Sequence, residues 1–262
     1  MKILITAGGT REDIDSVRGI TNYSTGRLGS FIGDQFIQGG DQVTYICSET
    51  AALPNASPHL EVITIRSVAQ LQERLEQALY TDRYDCVIHS MAVSDYAPYA
   101  TASLGGLSVD ESSVDESFTN ECSMGELSVQ LRDLSLTKLS DGKISSDSPF
   151  LVMVLKRQPK IIQRIKEIQP DTLLIGFKLL SGEDEAALAQ AADKLMAQSH
   201  ADYVLANDLN NINGDVHQGT LFSRDGVIGS GNSKYEIAQM IYNLVKNRKV
   251  TDYMVAKDED VK

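Results

Sequence analysis

The 262-residue chain contains no tryptophan, three cysteines, four histidines and six prolines. Its basic residues are also in short supply: 24 Lys and Arg against 36 Asp and Glu leave a formal net charge of −12. Each shortage excludes something. Cys47, Cys86 and Cys122 are odd in number, far apart and without CxxC or His spacing, so they make neither a disulfide framework nor a zinc site. They read as buried or idle thiols in a reducing compartment, and the expected location is cytoplasmic. The acidic balance excludes a non-specific nucleic-acid surface, which needs clustered Lys and Arg. It does not exclude a small anionic ligand, because the field inside a site can oppose the global charge. No stretch approaches the ~20 apolar residues of a membrane span. Met1-Lys2 leads directly into a strand pattern, so no signal peptide is expected. No nucleic-acid or membrane partner is expected either.

What is present is a 42% hydrophobic chain in which strand-like and helix-like segments alternate. Strands are expected at 2–6, 42–47, 61–65, 85–89, 150–155, 172–176 and 202–205. Most are short apolar runs, the pattern of parallel strands covered on both faces. Helices are expected at 26–39, 67–80, 159–168, 183–198 and 233–248, with Ser67 as an N-cap and Pro159 in a first turn. A hairpin is expected over 220–229. The fold class is therefore α/β: a Rossmann-like, doubly wound, mostly parallel sheet, whose ligands belong at the carboxyl ends of the strands. Residues 100–142, rich in Ser, Gly, Asp and Glu, read as an inserted flap or β-arm. A functional insertion and a surface loop fit that stretch equally. The expected organisation is a single domain over 1–250 and a polar tail over 251–262.

The candidate chemistry begins at the amino end. Strand 2–6 feeds a turn at Ala7-Gly8-Gly9-Thr10, and Ser24-Thr25-Gly26-Arg27-Leu28-Gly29 opens the first helix. Both glycine-and-hydroxyl loops can aim backbone N–H groups at a phosphate, because the first amides of a helix lack intrahelical acceptors. Ser24 or Thr25 can cap that helix. Asn22, just before it, is either a turn former or an amide that hydrogen-bonds a carboxylate or acyl oxygen. Asp95 follows strand 85–89 and is either a turn residue or a ligand to Mg²⁺ or a sugar hydroxyl. Lys143 is a solvated charge or a cation that neutralises developing phosphate charge. Phe177 either packs in the core or sets a ring edge near a base or ribose. Asn207 and Asp208, ending strand 202–205, either bind a ligand or turn the chain.

Taken in order, these segments resemble the phosphopantothenoylcysteine synthetase (phosphopantothenate–cysteine ligase) family. The resemblance rests on Thr6-Ala7-Gly8-Gly9-Thr10-Arg11-Glu12 followed by Ile14-Asp15, Val17-Arg18 and Asn22 to Gly29. Further along it rests on Ala92-Val93-Ser94-Asp95-Tyr96, Lys143-Ile144, Leu155-Lys156 with Pro159, Gly176-Phe177 and Ala206-Asn207-Asp208. It spans about residues 3–245, with a gap at the insertion. It implies a homodimer that joins 4′-phosphopantothenate to cysteine through an acyl-nucleotidyl intermediate, for coenzyme A biosynthesis. The co-substrate is CTP in bacterial members and ATP in animal ones, with Mg²⁺. It implies that Asn22 holds the acyl intermediate and that Lys143 rides a flap over the site. Asp95 then serves the nucleotide and its metal. Lys194 matches one of the nucleotide-side lysines, and Asn207 touches substrate.

This chain departs from the family pattern at several positions. Arg27 replaces the usual Lys, Ser145 replaces a second flap lysine, and Gln198 or Ser199 stands near the second nucleotide-side lysine. Lys178-Leu179-Leu180-Ser181 follows Gly176-Phe177 where the family carries an acidic position. No preceding flavin-dependent domain is seen, so a stand-alone ligase without flavin is expected. Two other classes remain open. A short-chain dehydrogenase needs a Tyr-x-x-x-Lys pair, found here only at Tyr242/Lys246 and Tyr253/Lys257. A non-catalytic nucleotide-binding relative would keep the fold and lose the chemistry.

Overall fold

The computed structural model describes residues 1–103, 137–138, 142–145, 151–213 and 216–259. Cys122 and most of the expected insertion lie outside them. In chain order the elements are β1 (Lys2–Ala7), β2 (Arg11–Asp13), β3 (Gly19–Thr21), α1 (Arg27–Gln38), β4 (Gln42–Ser48), β5 (Leu60–Ile65), α2 (Val68–Thr81), β6 (Cys86–His89), β7 (Tyr96–Ser103) and β8 (Thr137–Lys138). Then follow β9 (Leu151–Arg157), α3 (Ile161–Ile168), β10 (Leu173–Leu180), α4 (Glu185–Ser199), β11 (Tyr203–Asp208), β12 (Ile212–Asn213), β13 (Val216–Ser223), β14 (Gly226–Ser233) and α5 (Lys234–Glu259). A 3₁₀ turn, Leu209–Asn211, follows β11. The chain divides into two compact units: Met1–Arg11, Thr21–Ser94 and Pro159–Lys262 form the first, Glu12–Ile20 and Asp95–Gln158 the second.

The first unit is built on a nine-stranded sheet. Its parallel part runs β5-β4-β1-β6-β10-β11, and β13 joins β11 antiparallel, with β12 and β14 paired to β13. The chain builds outward from β1 in one direction, then crosses back through α2 to place β6 on the other side of β1. The strand order therefore reverses between β1 and β6, and such a reversal opens a crevice at the carboxyl ends. An isolated parallel bridge between Gly9 and Ala92 extends that pairing past the strand ends.

The apolar strands follow from cover on both faces. Leu4, Ile46, Val87, Leu174 and Val204 face one way, into a core completed by α2, α3 and α4. Their neighbours Ile3, Ile5, Tyr45, Ile88, Ile175 and Leu205 face the other way, onto α1 and α5. With both faces dry, apolar runs replace strict alternation, and each fully buried Leu or Ile contributes roughly 1.5–3 kcal/mol. The Ser67 hydroxyl accepts from Gln70 N at 3.2 Å, so the expected cap of α2 is present.

Three elements differ from the sequence reading. Pro159 lies one residue before the N-cap of α3, Lys160, instead of within the first turn. The helix expected to end near 248 continues to Glu259, through most of the stretch expected as a tail. The apolar run near 150–155 forms β9, which pairs antiparallel with β7 in a separate β8-β7-β9 sheet and takes no place in the parallel sheet. An apolar run alone does not distinguish a buried parallel strand from a leg of an antiparallel arm.

That antiparallel sheet is the frame of the second unit, with a register shift between Pro98 and Ala100. The same unit holds a tight turn around Asp15. Its carboxylate accepts from the Val17 and Arg18 amides at 3.0 and 2.8 Å, from Arg18 Nε at 2.9 Å and from the Ile144 amide at 3.1 Å. Arg18 Nη2 in turn donates to the Ile144 carbonyl at 3.0 Å. These donors, led by the Arg18 guanidinium, hold the Asp15 carboxyl below the usual carboxylate range.

A candidate anion-binding cleft at the carboxyl edge of the sheet

The first glycine loop is closely packed, and its residues are not among those lining the cleft that the second loop opens. Gly8 has φ +86°, and a Cβ there would meet Ser48 Oγ. A Cβ on Gly9 would stand 2.4 Å from the Asn22 carbonyl oxygen. Thr10 is fully buried: its hydroxyl donates to Ser94 Oγ and accepts from Ser94 N, both at 2.9 Å, and its own amide donates to the Ala92 carbonyl at 3.1 Å. These contacts lock the end of β1 to the segment that follows β6.

The second loop opens a cleft. Helix α1 starts on Gly26, which is left-handed at φ 68°, ψ 0° and offers no capping side chain. The expectation that Ser24 or Thr25 caps this helix is therefore corrected. Both hydroxyl residues precede the cap, and Thr25 Oγ1 lies 3.5 Å from Arg27 N. The left-handed turn is needed because the chain passes very close to β1: a Cβ on Gly26 would lie 3.2 Å from Gly8 N and 2.9 Å from Ala51 Cβ. The first intrahelical bond is Ser30 N to Gly26 O at 3.0 Å, so the amides of residues 27–29 precede it at the positive end of the helix dipole.

The cleft these residues line has a volume of about 340 Å³. Ser24, Thr25, Gly26 and Arg27 form one wall, and Ser90, Met91 and Ala92 form the floor beyond β6. Phe177 and Leu179 from β10, Asn207 from β11, His217 from β13 and Lys234 from the start of α5 complete it. Among the described residues that line it, two are cations, Arg27 and Lys234, and none is a carboxylate. In a chain of net charge −12 that is a local reversal of sign, and it favours an anionic ligand. A larger hollow of about 570 Å³ lies at the opposite, amino-terminal edge, near Met1, Arg83 and Asp171. Ligands of doubly wound sheets bind at the carboxyl edge.

Strand alternation explains which residues reach the cleft. Phe177 and Leu179 share a face of β10, with exposed Lys178 between them. On β11, Asn207 lines the cleft, whereas the Asp208 carboxylate accepts from Glu183 N at 2.8 Å and Asn210 N at 2.7 Å. Those backbone donors hold the Asp208 carboxyl below its ordinary range. Asp208 thus turns the chain, while Asn207 lines the cleft. Asn22 sits beside the cleft floor, its Nδ2 donating to the Ala92 carbonyl at 3.2 Å.

Six of the expected site residues therefore come together: Ser24, Thr25, Gly26, Arg27, Phe177 and Asn207. Lys194 is exposed on α4 and is not among the cleft-lining residues. Asp95 and Lys143 are exposed residues of the second unit, where the Asp95 carbonyl accepts from Gln158 N at 2.8 Å and Lys143 immediately precedes the Ile144 held by Asp15. His217 and Lys234 went unrecognised in the sequence. A lone histidine after a turn and a lysine opening a helix carry no motif signal. Among the described residues, no three His, Cys, Asp or Glu side chains cluster as a metal cage. No described helix is long and apolar enough to cross a membrane.

Fold and cleft together define a class: a doubly wound α/β protein with a cleft at its switch point lined by two cations and no carboxylate. Within that class, the profile of the DNA/pantothenate metabolism flavoprotein C-terminal domain family matches residues 1–104 and 128–249, and the chain belongs to that family, the phosphopantothenoylcysteine synthetase family of the sequence motifs. It is 31% identical over 224 residues to the coenzyme A biosynthesis bifunctional protein CoaBC of Thermococcus kodakarensis, covering 86% of this chain and 45% of that protein. The CoaBC protein of Methanocaldococcus jannaschii is 27% identical over 247 residues, covering 94% and 50%. The chain spans about half the length of the curated relatives it matches. The crystal structure of the DNA/pantothenate metabolism flavoprotein from Streptococcus pneumoniae superposes with a TM-score of 0.78 at 34% identity, covering 95% of this chain and 99% of that one.

Proposed function

We propose that the protein is a phosphopantothenate–cysteine ligase that activates its carboxylate substrate by nucleotidyl transfer. The observation that carries this reading is the meeting of three segments at one cleft: the amino end of α1, Phe177 and Asn207. Each comes from a separate motif, and the wall they build is cationic. The names of the CoaBC relatives support the pathway.

The chemistry follows from the substrates. A carboxylate is a poor electrophile and a poor leaving-group partner for an amine. Attack of the phosphopantothenate carboxylate on the α-phosphorus of CTP or ATP forms an acyl–phosphate bond and expels pyrophosphate. The cysteine amine then attacks the acyl carbon, an amide forms, the nucleoside monophosphate leaves and the amine gives up its proton. The α1 amides and Arg27 receive phosphate oxygens as charge builds on them. The ring of Phe177 packs against the nucleotide. Asn22, with one amide hydrogen fixed on Ala92, keeps its side-chain oxygen and second hydrogen for the acyl group. Lys143 would neutralise charge on the departing phosphates, and Asp95 would hold a Mg²⁺ ion bound with them, which would supply further charge neutralisation. Asn207 serves the substrate, and Lys194 serves the nucleotide from outside the cleft. The working species is a homodimer.

Asn22→Asp tests the assignment. It removes the hydrogen bond to Ala92 and sets a negative charge beside an acyl-phosphate. Turnover is expected to fall by several orders of magnitude with the fold intact by circular dichroism; near-normal turnover removes Asn22 from the mechanism. The dehydrogenase alternative finds no support in its signature pair. The Tyr242 ring packs edge-on against Phe36 at 5.3 Å, and Lys246 pairs with buried Asp41 at 2.6 Å. The side chains of Tyr253 and Lys257 lie outside the described residues.

A further inference from the structure

Asn207 is not a lone amide in the cleft wall. Ten residues on, β13 returns antiparallel along β11 and brings His217 beside it. Asn207 Nδ2 and His217 Nε2 are 3.0 Å apart, and both residues are more than nine-tenths buried. An amide nitrogen carries only donor hydrogens, so it donates, and Nε2 must offer a lone pair. The ring proton then resides on Nδ1. Nδ1 is itself buried and has no hydrogen-bond partner among the described residues. A charged ring would set an N–H against the amide N–H. The surroundings disfavour it: burial, with Lys234 beside the ring, pushes the His217 pKa down to about 4.

We propose that His217 is a positioning residue that fixes the Asn207 carboxamide by holding its nitrogen, so that a ligand in the cleft meets Asn207 as a hydrogen-bond acceptor. The group received there is a donor, a hydroxyl or an amine, and not a phosphate or carboxylate oxygen. This refines the ligase reading and rests on it for the identity of the ligand: the donor is a ribose hydroxyl of the nucleotide, the cysteine amine, or the hydroxyl or amide N–H of phosphopantothenate. Rotation of the carboxamide would pair Asn207 Oδ1 with Nε2 only if the ring proton moved from Nδ1 to Nε2, so the tautomer of His217 reports the orientation of Asn207.

Three substitutions separate positioning from packing. His217→Leu fills space and offers no acceptor. His217→Asn places an amide where Nδ1 stands, out of reach of Asn207. His217→Gln extends an amide oxygen to the place of Nε2 and restores the acceptor. Steady-state kinetics is expected to show KM for one substrate, nucleotide, cysteine or phosphopantothenate, raised about tenfold in the Leu and Asn variants with kcat little changed, and restored in the Gln variant. The substrate whose KM moves identifies the donor. Unchanged kinetics in all three, equal rises for every substrate, or a Gln variant as impaired as Leu overturns the proposal. The tautomer gives a readout independent of turnover. In imidazole ¹⁵N spectra of the unmodified protein at pH 7, His217 is expected to carry its proton on Nδ1; a proton on Nε2 overturns the proposal whether or not the protein is a ligase. Absence of pyrophosphate release by the unmodified protein sinks the ligase reading alone, and the spectrum still decides the pairing.

Discussion

Replacing Gly26 by alanine should destabilise the protein by about 2–4 kcal/mol, and the structure divides that cost into two parts. The first is conformational. Gly26 sits at φ +68°, where an L-residue costs roughly 1–2 kcal/mol. The second is steric. The added Cβ would lie 2.9 Å from Ala51 Cβ and 3.2 Å from Gly8 N, and forced overlap of this kind typically costs 1–3 kcal/mol, counted here toward its lower half at about 1–2 kcal/mol. Gly40 is an internal control: its φ is +77°, and nothing stands within 4 Å of a Cβ built there. Gly40→Ala therefore carries the conformational cost alone. Urea unfolding of both variants, read at constant m, should place Gly26→Ala about 1–2 kcal/mol below Gly40→Ala. Equality within ~0.5 kcal/mol would refute the close approach of the α1 loop to β1, and with it the geometry of the cleft wall. Gly26→Ala should also weaken nucleotide binding, whereas Gly40→Ala, at the far end of α1, should leave it unchanged.

Other consequences can be measured on the same protein. Buried His89, hydrogen-bonded to Thr6 Oγ1 at 2.8 Å, and His217 both have pKa values pushed down to about 4 from 6.5, chiefly by burial. Their neutral forms are favoured in the folded state, so the stability they protect is complete above pH 6.5 and is lost as pH falls toward 4, by about 3 kcal/mol each. The urea midpoint should drop over that window, and the drop should shrink in His217→Gln; a midpoint independent of pH refutes the burial of both rings. Asp15→Asn weakens the acceptor for the Arg18 side chain and the Ile144 amide. Hydrogen exchange at Ile144 should quicken about tenfold, and exchange unchanged there would show that Asp15 does not hold the Lys143 segment. Lys143→Gln should slow nucleotidyl transfer by orders of magnitude, as loss of a charge contact worth roughly 3–4 kcal/mol does, and an unchanged rate makes Lys143 a solvated charge.

Much of this molecule is legible in its sequence, and the exceptions have physical causes. The inner parallel strands declare themselves because both faces are covered, so β1 and β6 read as largely apolar runs, whereas the edge strand β5 is largely exposed or half-buried. Asn207 and Phe177 are findable because each follows the buried apolar run of such a strand. β9 misleads for the same reason: Leu151 to Leu155 is as apolar as a parallel strand, and only its pairing with β7 identifies the arm. The start of α1 misleads because Ser24 and Thr25 are better caps than glycine, yet only glycine tolerates the left-handed turn against β1. His217 and Lys234 are invisible for another reason. They reach the cleft through the antiparallel return of β13 and the placement of α5 behind it, contacts between residues whose spacing in sequence has no meaning by itself.

The most direct test of the ligase reading is pyrophosphate release by the purified protein with 4′-phosphopantothenate, Mg²⁺ and either CTP or ATP. Release is expected to require the phosphopantothenate carboxylate, to continue through many turnovers only when cysteine is added, and to match nucleoside monophosphate one for one. No release with either nucleotide, or formation of nucleoside diphosphate and inorganic phosphate in its place, would contradict the account.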